Sequence, residues 1–167
     1  MASPTDEQRT TLAAKVQDGQ YYVLSSVERD NPWPEPRDGL TTGEDNWVAV
    51  LTGTAWGPVT LNLESLTGRP DNIESGWDMV VERDIVTERG GLAITSTYGD
   101  GPPGGLRLRP GRGRLRIHVR DRFTAMSGGN LEEPVETHLI QVWPTDGPEP
   151  PAVLVGPDEA APQISPS

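Results

Sequence analysis

Across residues 105–123 the chain reads GLRLRPGRGRLRIHVRDRF, the most regular run of alternating apolar and cationic positions in the sequence. Leu115, Ile117 and Val119 fall on one parity; Arg114, Arg116, His118 and Arg120 fall on the other. Successive side chains of a strand point to opposite faces, so this pattern predicts a strand with a greasy face turned to a core and a cationic face turned away. Leu106 and Leu108 alternate with Arg107 and Arg109 just upstream. Pro110-Gly111-Arg112-Gly113 lies between the two runs as turn chemistry, which predicts a β-hairpin.

The rest of the chain is read by the same rule. Residues 20–28 (QYYVLSSVE) are rich in aromatic and β-branched side chains and predict a strand; residues 46–54 and 57–65 predict two more, joined as an antiparallel hairpin through Ala55-Trp56-Gly57-Pro58. In the second of these Val59, Leu61 and Leu63 face in and Thr60, Asn62 and Glu64 face out. Residues 77–86 predict a strand whose apolar parity shifts at Val80-Val81, the signature of a bulge. Residues 92–97 and 136–143 complete the set. Residues 29–46, with three prolines, read as a long loop. Leu12 and Val16, four apart with Gly19 beyond, give residues 1–18 as a tail or short amphipathic helix. Residues 147–167 are a Pro- and acid-rich tail, expected to be mostly disordered. The body, residues 19–146, is thus an all-β domain: an antiparallel β-sandwich of seven to eight strands, with a flattened β-barrel as the alternative.

Composition narrows the function classes. The 167 residues suit one domain. With no Cys there is no disulfide, thiolate catalyst or Cys-based zinc site. No basic leader followed by an apolar run opens the chain and no stretch is apolar enough to span a bilayer, so the expected setting is the cytoplasm, away from membrane. Net charge is −11, and the bases are Arg except for Lys15. Such a chain repels nucleic acid at long range; the macromolecular partner it calls for is a protein with a basic surface. No oligomeric state is implied.

Each chemical cluster has a functional and a structural reading. Arg114, Arg116 and Arg120 are spaced to grip phosphates or carboxylates together, or to pair with Glu82, Asp84 or Glu136 across the sheet. Asp71, Asn72, Glu74 and Asp78 share one loop, where sandwiches can hold Ca²⁺, but the spacing fits no EF-hand and a solvated turn is the simpler reading. Glu44 and Asp45 lie among ordinary turn formers. His118 and His138 stand outside any metalloprotease spacing, and Ser127 outside a nucleophile elbow. The expectation is a non-enzymatic protein with no cofactor and no metal. Trp33, among Pro32, Pro34 and Pro36, is a candidate interface anchor.

Taken together, GQYYV (residues 19–23), GPVTLNLE (57–64), WDMVVERDI followed by GGLAI, the LRLRPGRGRLRIHVR hairpin and the closing HLIQVWP resemble a family of small bacterial β-sandwich proteins. That family has many actinobacterial members and is similar to competence protein J, the inhibitor of the competence-associated DNA nuclease. The similarity covers residues 20–144. It implies an acidic, nuclease-inhibitor-like or immunity-type protein-binding module, for which Glu44, Asp45, Asp71, Glu74 and Asp78 are the acidic residues offered. A sandwich that binds a small ligand or metal through the Arg row or the 71–78 loop, and a structural component of a larger assembly, are the competing classes.

Overall fold

The computed structural model describes residues 8–25, 37–96 and 104–164. In chain order the elements are β1 (Gln8–Val16), β2 (Gln20–Leu24), β3 (Thr41–Glu44), β4 (Trp47–Leu51), β5 (Gly57–Ser65), β6 (Met79–Thr87), β7 (Leu92–Ser96), β8 (Gly104–Leu106), β9 (Gly111–Arg120), the one-turn helix α1 (Arg122–Met126), β10 (Thr137–Pro144) and β11 (Ala152–Val155). They form two sheets, ordered β1-β5-β10-β9-β6-β11 and β3-β4-β2-β7-β8, and neither closes into a barrel. The architecture is the expected sandwich. Its pairings are antiparallel except β5 with β10, which run parallel.

The core lies between the sheets. Val59, Leu61 and Leu63 of β5, Leu115, Ile117 and Val119 of β9, and Ile140 and Val142 of β10 meet Tyr21, Val23, Val48, Val50 and Ile94 of the facing sheet. All are buried, as the alternation required. Each such aliphatic side chain contributes roughly 1.5–3 kcal/mol through its removal from water.

Among the described residues eleven strands are present where seven to eight were expected, and the additions fall in the segments read as tail or loop. Residues 8–16 are a strand rather than a helix, because Leu12, Ala14 and Val16 turn inward with the period of a strand once paired to β5. Thr41 and Thr42 are fully buried in β3, inside the expected long loop. Residues 152–155, inside the segment expected to be mostly disordered, pair with β6.

Both expected hairpins are corrected. β4 and β5 belong to different sheets, as do β8 and β9. A glycine redirects the chain at each crossing: Gly57 has φ of 139° and Gly111 has φ of 124°, and a Cβ on Gly57 would lie 2.4 Å from the Leu131 carbonyl oxygen. Short turn-rich links look alike in sequence whether the chain folds back within a sheet or passes to the other one. The expected bulge is also moved. β6 runs in unbroken register along β9, and the irregularity lies in β11 between Val153 and Val155. The parity of β6 is regular, with Met79, Val81 and Ile85 inward, but Arg83 occupies the remaining inward position. Its guanidinium donates to Thr41 Oγ1 and the Gly43 carbonyl at 3.1 Å each, which ties the two sheets together at that side.

Candidate functional site

The cationic face of β9 lies on the outer surface of the six-stranded sheet. The register sets Arg114 opposite Asp84 and Arg116 opposite Glu82. Arg114 Nε donates to Glu82 Oε1 at 3.1 Å and its Nη1 to Asp84 Oδ1 at 2.9 Å; Arg116 Nε donates to Glu82 Oε2 at 2.8 Å; Arg112 Nη1 donates to Asp84 Oδ2 at 3.0 Å. Two chain segments lie over this ladder. Arg114 donates onward to the carbonyls of Glu149 and Pro150 at 3.0 and 2.8 Å, and Arg116 reaches those of Asn72 and Pro70 at 3.4 and 3.5 Å. Arg114 is 2% and Arg116 4% exposed. The Arg69 and Arg116 guanidiniums also lie 5.6 and 5.3 Å from the Trp143 ring centroid. Two of the three cations offered for binding therefore use their charge inside the molecule. Arg120 is exposed, with its guanidinium 5.0 Å from the centroid of Trp77.

A second polar chain sits in the core itself. Tyr21 Oη lies 2.7 Å from His138 Nδ1, His138 Nε2 lies 2.7 Å from Glu136 Oε2, and the Thr54 N–H donates to Glu136 Oε1 at 2.6 Å. None of Tyr21, Glu136 and His138 is more than 1% exposed. Burial pushes the Tyr21 hydroxyl well above its ordinary pKa and the Glu136 charge adds to it, so the phenol is neutral. Burial would also raise Glu136, but the hydrogen bond and charge of His138, with the Thr54 N–H, outweigh it and hold the carboxyl below its ordinary value. The chain joins β2 to β10 and the β4–β5 crossing. It resembles a catalytic relay in composition, yet it lines none of the surface clefts described below.

At one end of the sandwich α1 meets the segment that follows β11. There Arg122, fully buried, donates to the Leu51 and Gly39 carbonyls at 3.0 and 3.1 Å and forms a two-pronged pair with Asp158 at 2.9 and 2.7 Å. This fixes α1 and residues 157–161 against both sheets. Between them lies a cleft of about 360 Å³ lined by Asp78, Asp121, Phe123, Thr124, Pro157, Asp158 and Glu159. Every charge in its lining is negative. Asp158 is offset by Arg122 from behind, while Asp78 Oδ2 accepts the Asp121 N–H at 2.9 Å, a contact that helps hold Asp121 at φ of 68°. Phe123 is 44% exposed at the rim.

The structure divides the acidic residues that the sequence offered. Asp78 lines the cleft, and Asp71 and Glu74 stand exposed on the loop that crosses the Arg ladder. Glu44 and Asp45 belong to the other end: the Asp45 carbonyl accepts the Val86 N–H, eight residues along β6 from Asp78, or about 26 Å at roughly 3.3 Å per residue. They form no common surface. Trp33 lies outside the described residues. Among the described residues no group of three or more His, Asp or Glu converges as metal ligands would, at the 71–78 loop or elsewhere, and no helix is long and apolar enough to cross a membrane. Asp121, Phe123 and Glu159 were not singled out by sequence; the one available signal was the Arg-Asp-Arg-Phe break at the end of the alternating strand.

No protein-family model matches the chain, and no curated protein matches its sequence. Two solved structures are similar in fold. A protein described as "Crocagin biosynthetic gene J" is 15% identical, with 84% of this chain and 99% of that one aligned and a TM-score of 0.54. ComJ of Bacillus subtilis, described as the inhibitor of the DNA degrading activity of NucA, is 9% identical over 83% of this chain and 98% of its own, with a TM-score of 0.56. Likeness at such identities is likeness of fold, and the chain has the ComJ-like β-sandwich that its strand motifs resemble.

Proposed function

We propose that this protein is a non-enzymatic, cytoplasmic protein-binding module whose acidic end docks on a basic protein surface, and that the surface is the phosphate-binding cleft of a DNA nuclease. The observation that carries the reading is the cleft whose lining holds Asp78, Asp121, Asp158 and Glu159 and no base, with a half-exposed Phe123 at its rim. Carboxylates held on a rigid frame can occupy a site built for backbone phosphates. The net charge of −11 supplies a long-range field of the matching sign. Phe123 supplies an aromatic anchor, the residue type that interfaces favour at their centre. The fold shared with ComJ raises the weight of a nuclease over other basic partners without transferring any residue.

The test is a titration of DNA cleavage by the DNA nucleases of the host cell with the purified protein. A nuclease partner is inhibited stoichiometrically by the unaltered chain, and the Asp78→Lys/Asp121→Lys/Glu159→Lys triple variant, verified as folded by its circular-dichroism spectrum, loses that inhibition. Failure to inhibit any of them removes the nuclease from this reading.

A further inference from the structure

Beside the crossing from β4 to β5 lies an open hollow of about 610 Å³, bounded by the end of β1 and by the loop that precedes β10. Backbone contacts set its frame. The Leu131 N–H donates to the Trp56 carbonyl at 2.8 Å, Trp56 bridges Asn130, and Gly57 approaches Leu131 so closely that a Cβ there would collide with its carbonyl. These contacts hold the Trp56 main chain while its indole stays 43% exposed on the hollow, with Pro58, Leu131 and Pro134 as the other apolar walls. A concave space of this size with apolar walls and a few polar groups has the make-up of a small-molecule site.

Three polar groups of the lining have no use inside the molecule. Lys15 and Glu132 are exposed and of opposite sign, and among the described residues neither side chain makes an ion pair or a hydrogen bond, with each other or elsewhere. Gln17 lines the same hollow, and its side-chain oxygen is buried without a donor among the described residues. Buried acceptors ordinarily have one.

The two signs together narrow the occupant. An anion would face Glu132 and a cation would face Lys15. An uncharged apolar molecule would strip water from both charges and return nothing to them. A molecule that carries both signs meets all three groups: its carboxylate lies on Lys15, its ammonium on Glu132 and the Gln17 oxygen, and its apolar body on the indole. We infer that the Trp56 hollow binds a small zwitterion with a bulky apolar side chain, an α-amino acid or a dipeptide, held at its carboxylate by Lys15 and at its ammonium by Glu132. The hollow shares no lining residue with the acidic cleft, and the inference does not rest on the nuclease reading.

The experiment is a calorimetric titration of the full chain with L-leucine, L-phenylalanine and L-tryptophan, and with the dipeptides they form. At least one of these should bind, and the tighter class identifies the source of the zwitterion. For that ligand, N-acetylation, conversion of the carboxylate to the amide, and Trp56→Ala should each weaken binding about tenfold. Lys15→Ala should abolish discrimination against the amide and keep that against the N-acetyl form; Glu132→Ala should do the reverse. All three side chains are exposed, and an unchanged circular-dichroism spectrum verifies that each variant is folded. No binding by any member of the panel overturns the proposal, as does binding indifferent to the blocked ends, to both charge variants or to Trp56→Ala. A dimer of the unaltered chain that Trp56→Ala dissociates overturns it as well, since a second copy then fills the hollow.

Discussion

Arg116 and Arg120 stand on the same face of the same strand, four residues apart, and share one residue type and one alternation pattern. Arg116 is 4% exposed, bonded to Glu82 and roofed by the carbonyls of Pro70 and Asn72. Arg120 lies in solvent against Trp77. The difference is set entirely by what other parts of the chain do. The carbonyls of Pro70, Asn72, Glu149 and Pro150 lie over Arg114 and Arg116, whereas Arg120 meets the ring of Trp77 at the edge of that cover. A face that alternation marks as polar is thus half core and half surface, and only the surface half is available to a partner.

Breaking the covered half should cost most. Glu82 accepts from Arg114, Arg116 and Arg69. Glu82→Ala leaves two buried guanidiniums short of a counter-charge and should lower unfolding free energy by about 3–5 kcal/mol in a denaturant titration. Removing the apolar side of the same strand comes next: Leu115→Ala and Ile117→Ala should each cost about 2–5 kcal/mol, with a matching fall in thermal midpoint. Arg120→Ala, at the uncovered end, should change stability by at most about 1 kcal/mol. A loss from Arg120→Ala as large as that from Glu82→Ala would erase the distinction between the two ends of the strand.

Acid should sharpen it further. His118, on the same face, is held below its ordinary pKa of 6.5 by burial, with Arg116 adding to the effect and the Leu139 carbonyl opposing it. The unfolded chain therefore takes up that proton first. Stability from neutral His118 is present above about pH 6.5 and declines as pH falls below it. Glu136, also lowered, contributes stability that is present above its ordinary value of 4.5 and is lost as pH falls through its folded value. A stability profile should accordingly decline in two stages between neutral pH and strong acid. His118→Gln should flatten the first stage and leave the second.

Alternation made the strands and the inward set legible. Val59, Leu61, Leu63, Leu115, Ile117 and Val119 are all where a period of two places them. What it could not supply was the partner of each face or edge. Arg122 and Asp158 are 36 residues apart, and Tyr21 and His138 are 117 apart; no local pattern links either pair. Arg83 breaks an apolar run because it bonds β3, a strand that Thr41-Thr42-Gly43-Glu44 disguises as a turn. The acidic end was half legible for the same reason: Asp78 stood out in its loop, while Asp121 and Glu159 reach it only through the folding of α1 and the closing segment.

The role proposed for this end is electrostatic docking, and the association rate with an inhibited nuclease is its sharpest test. Raising ionic strength from 0.01 to 1 M, which shortens the Debye length from about 30 to about 3 Å, should slow association of the unaltered protein steeply. Asp78→Lys/Asp121→Lys/Glu159→Lys should associate slowly at low salt and show little further salt dependence. Equal rates for the two proteins at 0.01 M would contradict it.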